Sequence, residues 1–475
     1  MNKEYMTYID GKWLVTGRTL DVVNKFTGQP FARVPLADAA LTEKAVESAS
    51  QAFKTFRKTP AYVRAEILEK TATQLLGRQE EIAEVLCKEV GKAWKFSVNE
   101  VQRSAETFQF AAEEAKRLHG ETVSVDASKF GANRFGYFIR EPLGVIGAIT
   151  PFNFPLNLVA HKLAPAIATG NTVVLKPAST TPVSALILAE ILEKSGLPAG
   201  ALNVVIGPGS EIGDTLVVHP QCRKITFTGS PAVGEQITRK AGIKKVTLEL
   251  GSNSATIIEA DADLAKAVER CVVSAFANSG QVCISLQRIY VNEKCAEAFT
   301  RLFVEKVNAL KVGDPLDKDC DVGPLIDPAE VARIDAWVQA AVKQGAVIAT
   351  GGRAEKLVYQ PTVLTNVTED MDVMCMETFA PVVSIVTYTD FDEVIERVND
   401  SDFGLQAGVY TNDINKALQA VDDLEVGGVM INDTGTFRLD HFPYGGNKRS
   451  GLGREGVRFA MEEMTNIKMV VINRN

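Results

Sequence analysis

The sequence predicts an α/β protein built from two parallel-sheet domains and a β-arm, and three observations support this class. From Leu143 to Gly251, short apolar runs alternate with segments of helical periodicity, which is typical of a parallel sheet covered on both faces. A second series of the same kind follows Gly251. Between Thr122 and Pro142, polar and apolar residues instead alternate around a turn at 131–133, which indicates an exposed hairpin.

Length and composition narrow the range of functions. The chain has 475 residues, enough for two or three domains, with 46% hydrophobic and 23% charged residues. Its net charge of -8 is spread out and there is no long basic run, which argues against nucleic acid or an anionic membrane as a partner. The N-terminus does not have the pattern of a signal peptide, and no apolar run is long enough to span a bilayer.

Cysteine and histidine usage predicts a cytoplasmic protein without a metal site. The seven cysteines form no CxxC pair, and isolated cysteines in a long chain fit a reducing compartment. The four histidines show no HExxH or similar spacing, so we expect no metal ligands among them.

The N-terminal part predicts short strands over 8–36 and a helical block from Asp38 to about Leu118, with Thr42 as a helix N-cap. Residues 466–474 predict a last strand that pairs with the hairpin, in the same or another subunit. The hairpin is then an arm for oligomer contacts or an ordinary surface hairpin. The predicted domains are 1–121 with 143–250, then 251–434, with an arm formed by 122–142 and 460–475.

Ligands of parallel α/β sheets bind beyond the carboxyl ends of the strands, so these ends predict a dinucleotide site. Two glycine-containing turns open helices there, one at Gly209 and the other at Gly229–Ser230, and helix N-termini suit phosphate groups. Either turn could instead be a plain connection. The other polar residues at these ends are Thr150, Lys176 and Ser179. Lys176 could bind ribose hydroxyls or a phosphate, or could be an ordinary surface lysine.

Three further residues carry possible chemistry. Cys283 follows a helix that breaks at Ser279–Gly280 and precedes a strand-like run over 284–291, so it is a nucleophile or a small buried residue. Glu249 ends an apolar strand, where burial would raise its pKa toward that of a general base, or it caps a loop. Asn153, between two prolines, could donate to an oxyanion or form an Asx turn.

Seven motifs in order and register resemble the aldehyde dehydrogenase family over essentially the whole chain. They are PFNFP, KPASTTP, FTGSPAVG, LELG, GQVC, METFAPV and FPYGGNKRSGLGREG. The resemblance implies a dinucleotide-binding domain, a catalytic domain, an oligomerisation arm, and dimers or tetramers. It implies NAD or NADP as cofactor, with Lys176 at the adenosine ribose, Gly229 and Ser230 at the pyrophosphate, and Glu377 and Phe379 at the nicotinamide. Cys283 would form a thiohemiacetal and then a thioester, Asn153 would hold the oxyanion, and Glu249 would activate water.

Several positions depart from the family's commonest pattern. Ser179 stands where NAD-preferring members often carry glutamate, so NADP use is predicted to be possible. Arg103, His161 and Arg438 resemble positions that contact anionic substrates or line the entrance, although each could be a salt-bridging or capping residue. Val282 stands where several phosphate-selective members carry arginine.

The predicted reaction is oxidation of a small hydrophilic, hydroxylated or anionic aldehyde, of the lactaldehyde, sulfolactaldehyde or glyceraldehyde-3-phosphate type, to the free acid. The alternatives are a semialdehyde dehydrogenase of broad specificity, a coenzyme-A-acylating enzyme, and a non-catalytic protein of this fold. The sequence leaves open the natural aldehyde, the choice between the two coenzymes, and whether the three cationic residues converge.

Overall fold

A computed structural model describes residues 3–474. Its helices are α1 (Ala39–Phe56), α2 (Ala61–Gly77), α3 (Gln79–Val90), α4 (Trp94–Ala115), α5 (Asn157–Thr169), α6 (Val183–Lys194), α7 (Asp214–Val218), α8 (Pro231–Ala241), α9 (Leu264–Phe276), α10 (Glu293–Asn308), α11 (Pro328–Lys343), α12 (Asp372–Cys375), α13 (Phe391–Asn399), α14 (Ile414–Asp423) and α15 (Val457–Glu463). Within residues 3–474, none of these helices is long and apolar enough to cross a membrane.

The strands are β1 (Lys3–Glu4), β2 (Thr7–Ile9), β3 (Lys12–Leu14), β4 (Thr19–Val23), β5 (Pro30–Pro35), β6 (Glu121–Val123), β7 (Arg134–Pro142), β8 (Val145–Ile149), β9 (Thr172–Lys176), β10 (Leu202–Val204), β11 (Cys222–Thr228), β12 (Lys245–Glu249), β13 (Ala255–Ile258), β14 (Arg288–Asn292), β15 (Val347–Thr350), β16 (Ala354–Glu355), β17 (Val358–Tyr359), β18 (Thr362–Thr365), β19 (Val382–Tyr388), β20 (Phe403–Gly404), β21 (Gln406–Tyr410), β22 (Gly428–Ile431), β23 (Asn447–Lys448), β24 (Gly451–Leu452) and β25 (Thr465–Asn473).

Two sheets form the centre of the molecule, which confirms the α/β class. The first has the order β10-β9-β8-β11-β12-β24, and only β24 is antiparallel. Its strand order reverses beside β8, where ligands of doubly wound sheets bind. The second has the order β15-β18-β19-β14-β13-β21-β22, with β15 antiparallel. The chain passes from one sheet to the other between β12 and β13.

The β-arm is a three-stranded antiparallel sheet in the order β25-β7-β6. β25 pairs with β7 of the same chain along its whole length, from Thr465 to Asn473. Its outer residues Ile467, Met469 and Val471 are exposed. Before this strand, α15 packs its buried Val457 and Met461 into the core of the first sheet, so the C-terminal segment returns to the N-terminal unit.

Two local expectations were wrong, and a third needs refinement. Asp38, not Thr42, caps α1, because its carboxylate accepts from the Leu41 backbone N–H at 2.8 Å. The helix expected at the Gly209 turn is present, but it begins as a π-helical turn, Gly209–Gly213, before it continues as α7. The strand expected over 284–291 begins only at Arg288, since the preceding residues are taken up by the turn that carries Cys283.

Candidate active site

Cys283 lies on a turn whose backbone is held in an uncommon conformation. After α9, Asn278 and Ser279 have φ of 51° and 58°, and Gly280 follows with φ of 71°. A side chain at Gly280 would place its Cβ 2.1 Å from the Ala380 carbonyl oxygen, so only glycine fits. Two residues with positive φ that are not glycine are a recognised mark of functional segments. Burial raises the pKa of the Cys283 thiol to about 11 in this structure.

Asn153 is attached directly to the Cys283 turn. Its side-chain amide donates to the Gln281 carbonyl oxygen at 2.9 Å, and the Asn278 amide donates back to the Asn153 carbonyl at 3.2 Å. The Asn153 side-chain oxygen also accepts from the Phe154 N–H at 3.1 Å. One of the two amide protons of Asn153 is therefore used to join the loops, and the second remains for an acceptor at the site.

Glu249 ends β12 and is buried, with 2% of its surface exposed. Neither carboxylate oxygen has a hydrogen-bond partner within the described residues. Burial, followed by repulsion from the Glu455 carboxylate, raises the pKa of Glu249 well above its usual value. A raised pKa makes this carboxylate a stronger proton acceptor than an ordinary one, which suits a general base.

The strand ends of the first sheet carry unused polar groups. The buried Thr150 hydroxyl has no hydrogen-bond partner in residues 3–474, and the Lys176 ammonium makes only a long 3.4 Å bond to the Pro177 carbonyl. Burial lowers the pKa of Lys176 to about 8. Around Gly209, a Cβ would meet open space. Free donors beside an open helix start fit the hydroxyl and phosphate oxygens of a dinucleotide.

The remaining candidate cofactor-binding residues differ in whether their hydrogen-bonding groups are free. Ser179 donates its hydroxyl to the Gly207 carbonyl at 2.9 Å. The Gly229 N–H is not a free donor, because it is bonded to the Glu249 carbonyl at 3.0 Å, so Gly229 can only offer close approach. Ser230 precedes Pro231, the first residue of α8, and its hydroxyl does not cap that helix.

Glu377 and Phe379 lie on the segment that faces the end of β12. Glu377 accepts from the Ser252 N–H at 3.0 Å, and burial raises its pKa to about 7. A Cβ on Gly251 would lie 2.4 Å from its carboxylate, so Gly251 makes room for Glu377. Phe379 has a φ of 46° and meets the edge of the Phe152 ring at a centroid distance of 5.9 Å.

Arg103, His161 and Arg438 do converge, and they do so on two carboxylates that sequence reasoning missed. Arg103 on α4 forms a two-pronged bond to Asp440 at 2.6 and 3.2 Å. His161 on α5 bonds the same carboxylate at 2.8 Å. Arg438 contacts His161 and the second carboxylate, Glu455, at 3.3 and 3.2 Å. The Arg438 side chain is 7% exposed, so it is buried beside the nucleophile rather than placed at an open entrance.

The same cluster contains a buried lysine that was also missed. Lys162 on α5 donates to Glu455 at 2.9 Å and to the Thr228 hydroxyl at 2.7 Å. Burial alone would raise the pKa of Glu455, but the charges led by Lys162 lower it to about 2. Burial and the neighbouring Arg438 lower the pKa of His161, which is therefore neutral at pH 7. A lysine in a mostly apolar helix was the sequence signal that could have been used.

Tyr444 joins the charged cluster to the nucleophile. Its hydroxyl lies 3.1 Å from the Cys283 sulfur, and the Arg438 guanidinium lies 3.6 Å from the centre of its ring. Cys283 thus has Asn153 on the neighbouring loop and a cationic cluster behind Tyr444, while Glu249 lies within the electrostatic reach of its sulfur.

This arrangement of a buried thiol, an amide, a carboxyl group and strand ends with free donors suits an oxidoreductase that uses a dinucleotide, and comparison with known proteins agrees. The aldehyde dehydrogenase family model matches residues 13–470, and the chain belongs to this family. It is an NAD(P)-dependent aldehyde dehydrogenase.

Three relatives illustrate the match. A 3-sulfolactaldehyde dehydrogenase of Priestia aryabhattai is 50% identical over 99% of this chain and 98% of its own. Aldehyde dehydrogenase 21 of Physcomitrella patens, solved with the reaction product succinate, has a TM-score of 0.98 at 40% identity and covers 100% of this chain and 99% of its own. Glyceraldehyde-3-phosphate dehydrogenase GapN of Methanocaldococcus jannaschii, solved with NADP, has a TM-score of 0.93 at 42% identity, covering 96% and 100%.

Proposed function

We propose that this enzyme oxidises a small, hydrophilic, anionic aldehyde of the sulfolactaldehyde type to the free carboxylic acid. The observation that carries the proposal is the cationic cluster beside Cys283. Three cations, Arg103, Arg438 and Lys162, face the ionised Asp440 and Glu455, so one positive charge is in excess. The Arg438 Nε is buried without a partner among residues 3–474, which leaves a charged donor for an incoming anion.

Cys283 is the nucleophile in this proposal. Its thiolate attacks the aldehyde carbon and forms a C–S bond, and the oxygen gains the negative charge. The second Asn153 amide proton and the Cys283 backbone N–H stabilise that oxygen, since charge-bearing oxygens gain most from fixed donors in a dry site. When bound, NAD or NADP would supply the oxidant that accepts the hydride from this carbon. As the C–H bond breaks, the oxyanion re-forms the C=O bond, and a thioester to Cys283 remains.

Glu249 completes the reaction. Its raised pKa lets it take a proton from water as that water attacks the thioester carbon. The C–S bond then breaks, the acid leaves, and the sulfur returns as a thiolate. A base dedicated to water favours hydrolysis over transfer of the acyl group to coenzyme A.

Lys176, Thr150, Gly209 and Ser230 hold the cofactor in this proposal, with Glu377 and Phe379 at its nicotinamide end. Ser179 is neutral, so no carboxylate at this position repels a 2′-phosphate. We therefore propose that NADP is accepted as well as NAD, as the NADP complex of the GapN relative also suggests. A kcat/KM for NAD more than about 100-fold above that for NADP would contradict this, since it amounts to about 2.7 kcal/mol of discrimination.

A second candidate substrate class is a semialdehyde with a carboxylate tail. It is favoured by the succinate product bound to the Physcomitrella patens relative and by the same excess positive charge. Val282 argues against selective binding of a phosphate. Sulfolactaldehyde, lactaldehyde, glyceraldehyde 3-phosphate and succinate semialdehyde should be compared by kcat/KM. We expect sulfolactaldehyde to exceed neutral lactaldehyde clearly, and preference for long neutral aldehydes would refute the proposed substrate class.

The chemistry is tested with two variants. Cys283→Ser should abolish NAD(P)H formation, and full activity in this variant would exclude the covalent mechanism. Glu249→Gln should form NAD(P)H in one burst and then release acid slowly. A rate or product that depends on coenzyme A would favour the acylating alternative. The homodimer or homotetramer, the cytoplasmic location, the domain limits, and the absence of nucleic-acid or membrane partners stay predictions.

A further inference from the structure

The Tyr444 hydroxyl is held in place against the Cys283 sulfur. The side chain is buried, so water does not compete for the 3.1 Å contact between the two groups. The backbone of Tyr444 is fixed by two hydrogen bonds to Glu455, at 3.1 and 2.7 Å. The phenol therefore reaches Cys283 from a rigid support.

The ring of Tyr444 is also fixed from behind. The Arg438 guanidinium stacks on it at 3.6 Å, and Arg438 is itself bound by Glu455 and His161. A buried cation on an aromatic ring is attracted by the ring's negative face. A cation at this position also makes the phenol a better hydrogen-bond donor and lends positive potential to the sulfur.

The contact has a direction that depends on the state of the sulfur. A thiolate has no proton and can only accept, whereas the phenol has one proton to donate. Hydrogen bonds to an ionised acceptor are roughly twice as strong as those between neutral groups. The Tyr444 contact therefore stabilises the thiolate more than the thiol, and it opposes burial and the carboxyl groups of Glu249 and Glu377, which favour the thiol.

We propose that Tyr444 is a positioning residue for Cys283, whose hydroxyl donates a hydrogen bond to the thiolate while the stacked Arg438 holds the phenol in place. This inference rests on the proposed function, in which Cys283 is the nucleophile. Once the sulfur bonds to the aldehyde carbon it loses its charge, so the hydrogen bond weakens. Tyr444 then favours the free thiolate over the thiohemiacetal and acts on the resting enzyme.

The test is the pH dependence of Cys283 alkylation by iodoacetamide, followed by mass spectrometry of the peptide that contains Cys283. In Tyr444→Phe, the ring still packs under Arg438 but the donor is gone. We expect the inflection in the plot of alkylation rate against pH to move about one pH unit upward. At a fixed pH below both inflections the rate should fall about threefold, because a tenfold loss of thiolate is partly offset by its greater nucleophilicity.

The matched control is Tyr359→Phe, which also removes one hydroxyl from a buried tyrosine, in this case 3.3 Å from Asp335. Its inflection should equal that of the wild type. An unchanged inflection in folded Tyr444→Phe would overturn the inference, because a purely structural role does not set the ionisation of the sulfur. If Tyr444→Phe does not fold, 3-fluorotyrosine at position 444 keeps the shape and strengthens the donor, and the inflection should then move down; an unmoved inflection would overturn the inference.

The two proposals can fail separately, because alkylation needs no turnover. If Cys283→Ser retained full aldehyde oxidation, the covalent mechanism of the proposed function would be wrong whatever the alkylation profile. If Cys283→Ser is inactive and Tyr444→Phe shows the wild-type inflection, only the role of Tyr444 is wrong.

Discussion

Four carboxyl groups belong to the candidate site, and they fall into two pairs with opposite shifts in pKa. Glu249 and Glu377 have no ion-pair partner among residues 3–474, and burial raises the pKa of both. Asp440 and Glu455 are also buried, but hydrogen bonds and cations from α4, α5 and Arg438 lower the pKa of both. The same side-chain chemistry is thus tuned in two directions by the presence or absence of a counter-charge.

The difference separates two tasks. Carboxyl groups with a raised pKa accept a proton more readily than ordinary carboxylates, so they suit proton transfer and contact with a cofactor. Paired carboxylates stay ionised and act as fixed charges that hold Arg103, Arg438 and Lys162 in place. We therefore expect substitutions on the paired side to cost stability first, and substitutions on the unpaired side to cost binding or catalysis first.

The largest expected effect is on the paired side. Lys162→Met removes a fully buried cation and leaves Glu455 with less compensation. Breaking a buried pair in this way typically costs about 3–5 kcal/mol. Denaturant unfolding should show this loss, whereas Lys116→Met, which breaks the exposed pair with Glu69, should cost less than about 1 kcal/mol. Equal losses in the two variants would remove the distinction between the two sides.

Lys176→Ala tests the cofactor edge, where the ammonium has almost no partner to lose. The free energy of unfolding without cofactor should change little. The KM for NAD and NADP should rise about 10- to 100-fold, as expected for loss of one charge-assisted hydrogen bond of roughly 1.5–3 kcal/mol. Lys194→Ala, an exposed lysine of α6, is the control and should keep the wild-type KM. A large loss of stability with unchanged KM would assign Lys176 to the fold.

The pH dependence of the stability of Glu377→Gln distinguishes the unpaired carboxyl groups from the paired ones. The pKa of Glu377 is raised to about 7, so its contribution to stability is complete below about pH 4.5 and is lost as pH rises through 7. Relative to the wild type, Glu377→Gln should therefore gain stability between pH 4.5 and 8. The expected gain in the free energy of unfolding is about 1–2 kcal/mol. This is less than the full pKa shift of Glu377 implies, because its side chain keeps some exposure.

Glu455 gives the opposite sign. Its pKa is lowered to about 2, so its contribution to stability is complete above about pH 4.5 and is lost as pH falls toward 2.

The prediction for Glu377 is checked by the free energies of unfolding of the wild type and Glu377→Gln. Measured from pH 4.5 to 8, the two curves should diverge with rising pH. Parallel curves would show that Glu377 titrates normally.

The smallest effect is expected from Thr150→Val, which replaces a buried hydroxyl without a partner by a methyl group. Stability without cofactor should be unchanged or rise by about 1 kcal/mol, because an unsatisfied polar group is removed. In Thr71→Val, the lost hydroxyl donates to the Ile67 carbonyl at 2.8 Å, so stability should fall by about 1 kcal/mol. Thermal unfolding of the two variants measures these changes in stability. A similar loss of stability in both would mean that the Thr150 hydroxyl has a hydrogen-bond partner.

Sequence patterns along the chain predicted most of the candidate catalytic and cofactor-binding residues. The alternation of apolar runs and helices predicted the first sheet, because buried parallel strands need apolar residues on both faces. The ends of those strands then pointed to Thr150, Lys176 and Glu249. Boundaries were less predictable: Asp38 and Thr42 are both good caps by type, and only the backbone path decides which one accepts the free N–H groups.

The sequence by itself determined the α/β class, the family, and the positions of Cys283, Glu249 and Asn153 at breaks between elements. Only the tertiary structure decided which charges meet. Asp440 lies 337 residues from Arg103 and 279 from His161, and Tyr444 lies 161 residues from Cys283. Periodicity reports which face of an element is buried, but the pairing of charges depends on how separate elements cross. Arg103, His161 and Arg438 are therefore bonded to the protein's own carboxylates, and the Arg438 Nε is what remains for the proposed substrate anion. Tyr444, beneath Arg438, contacts the sulfur.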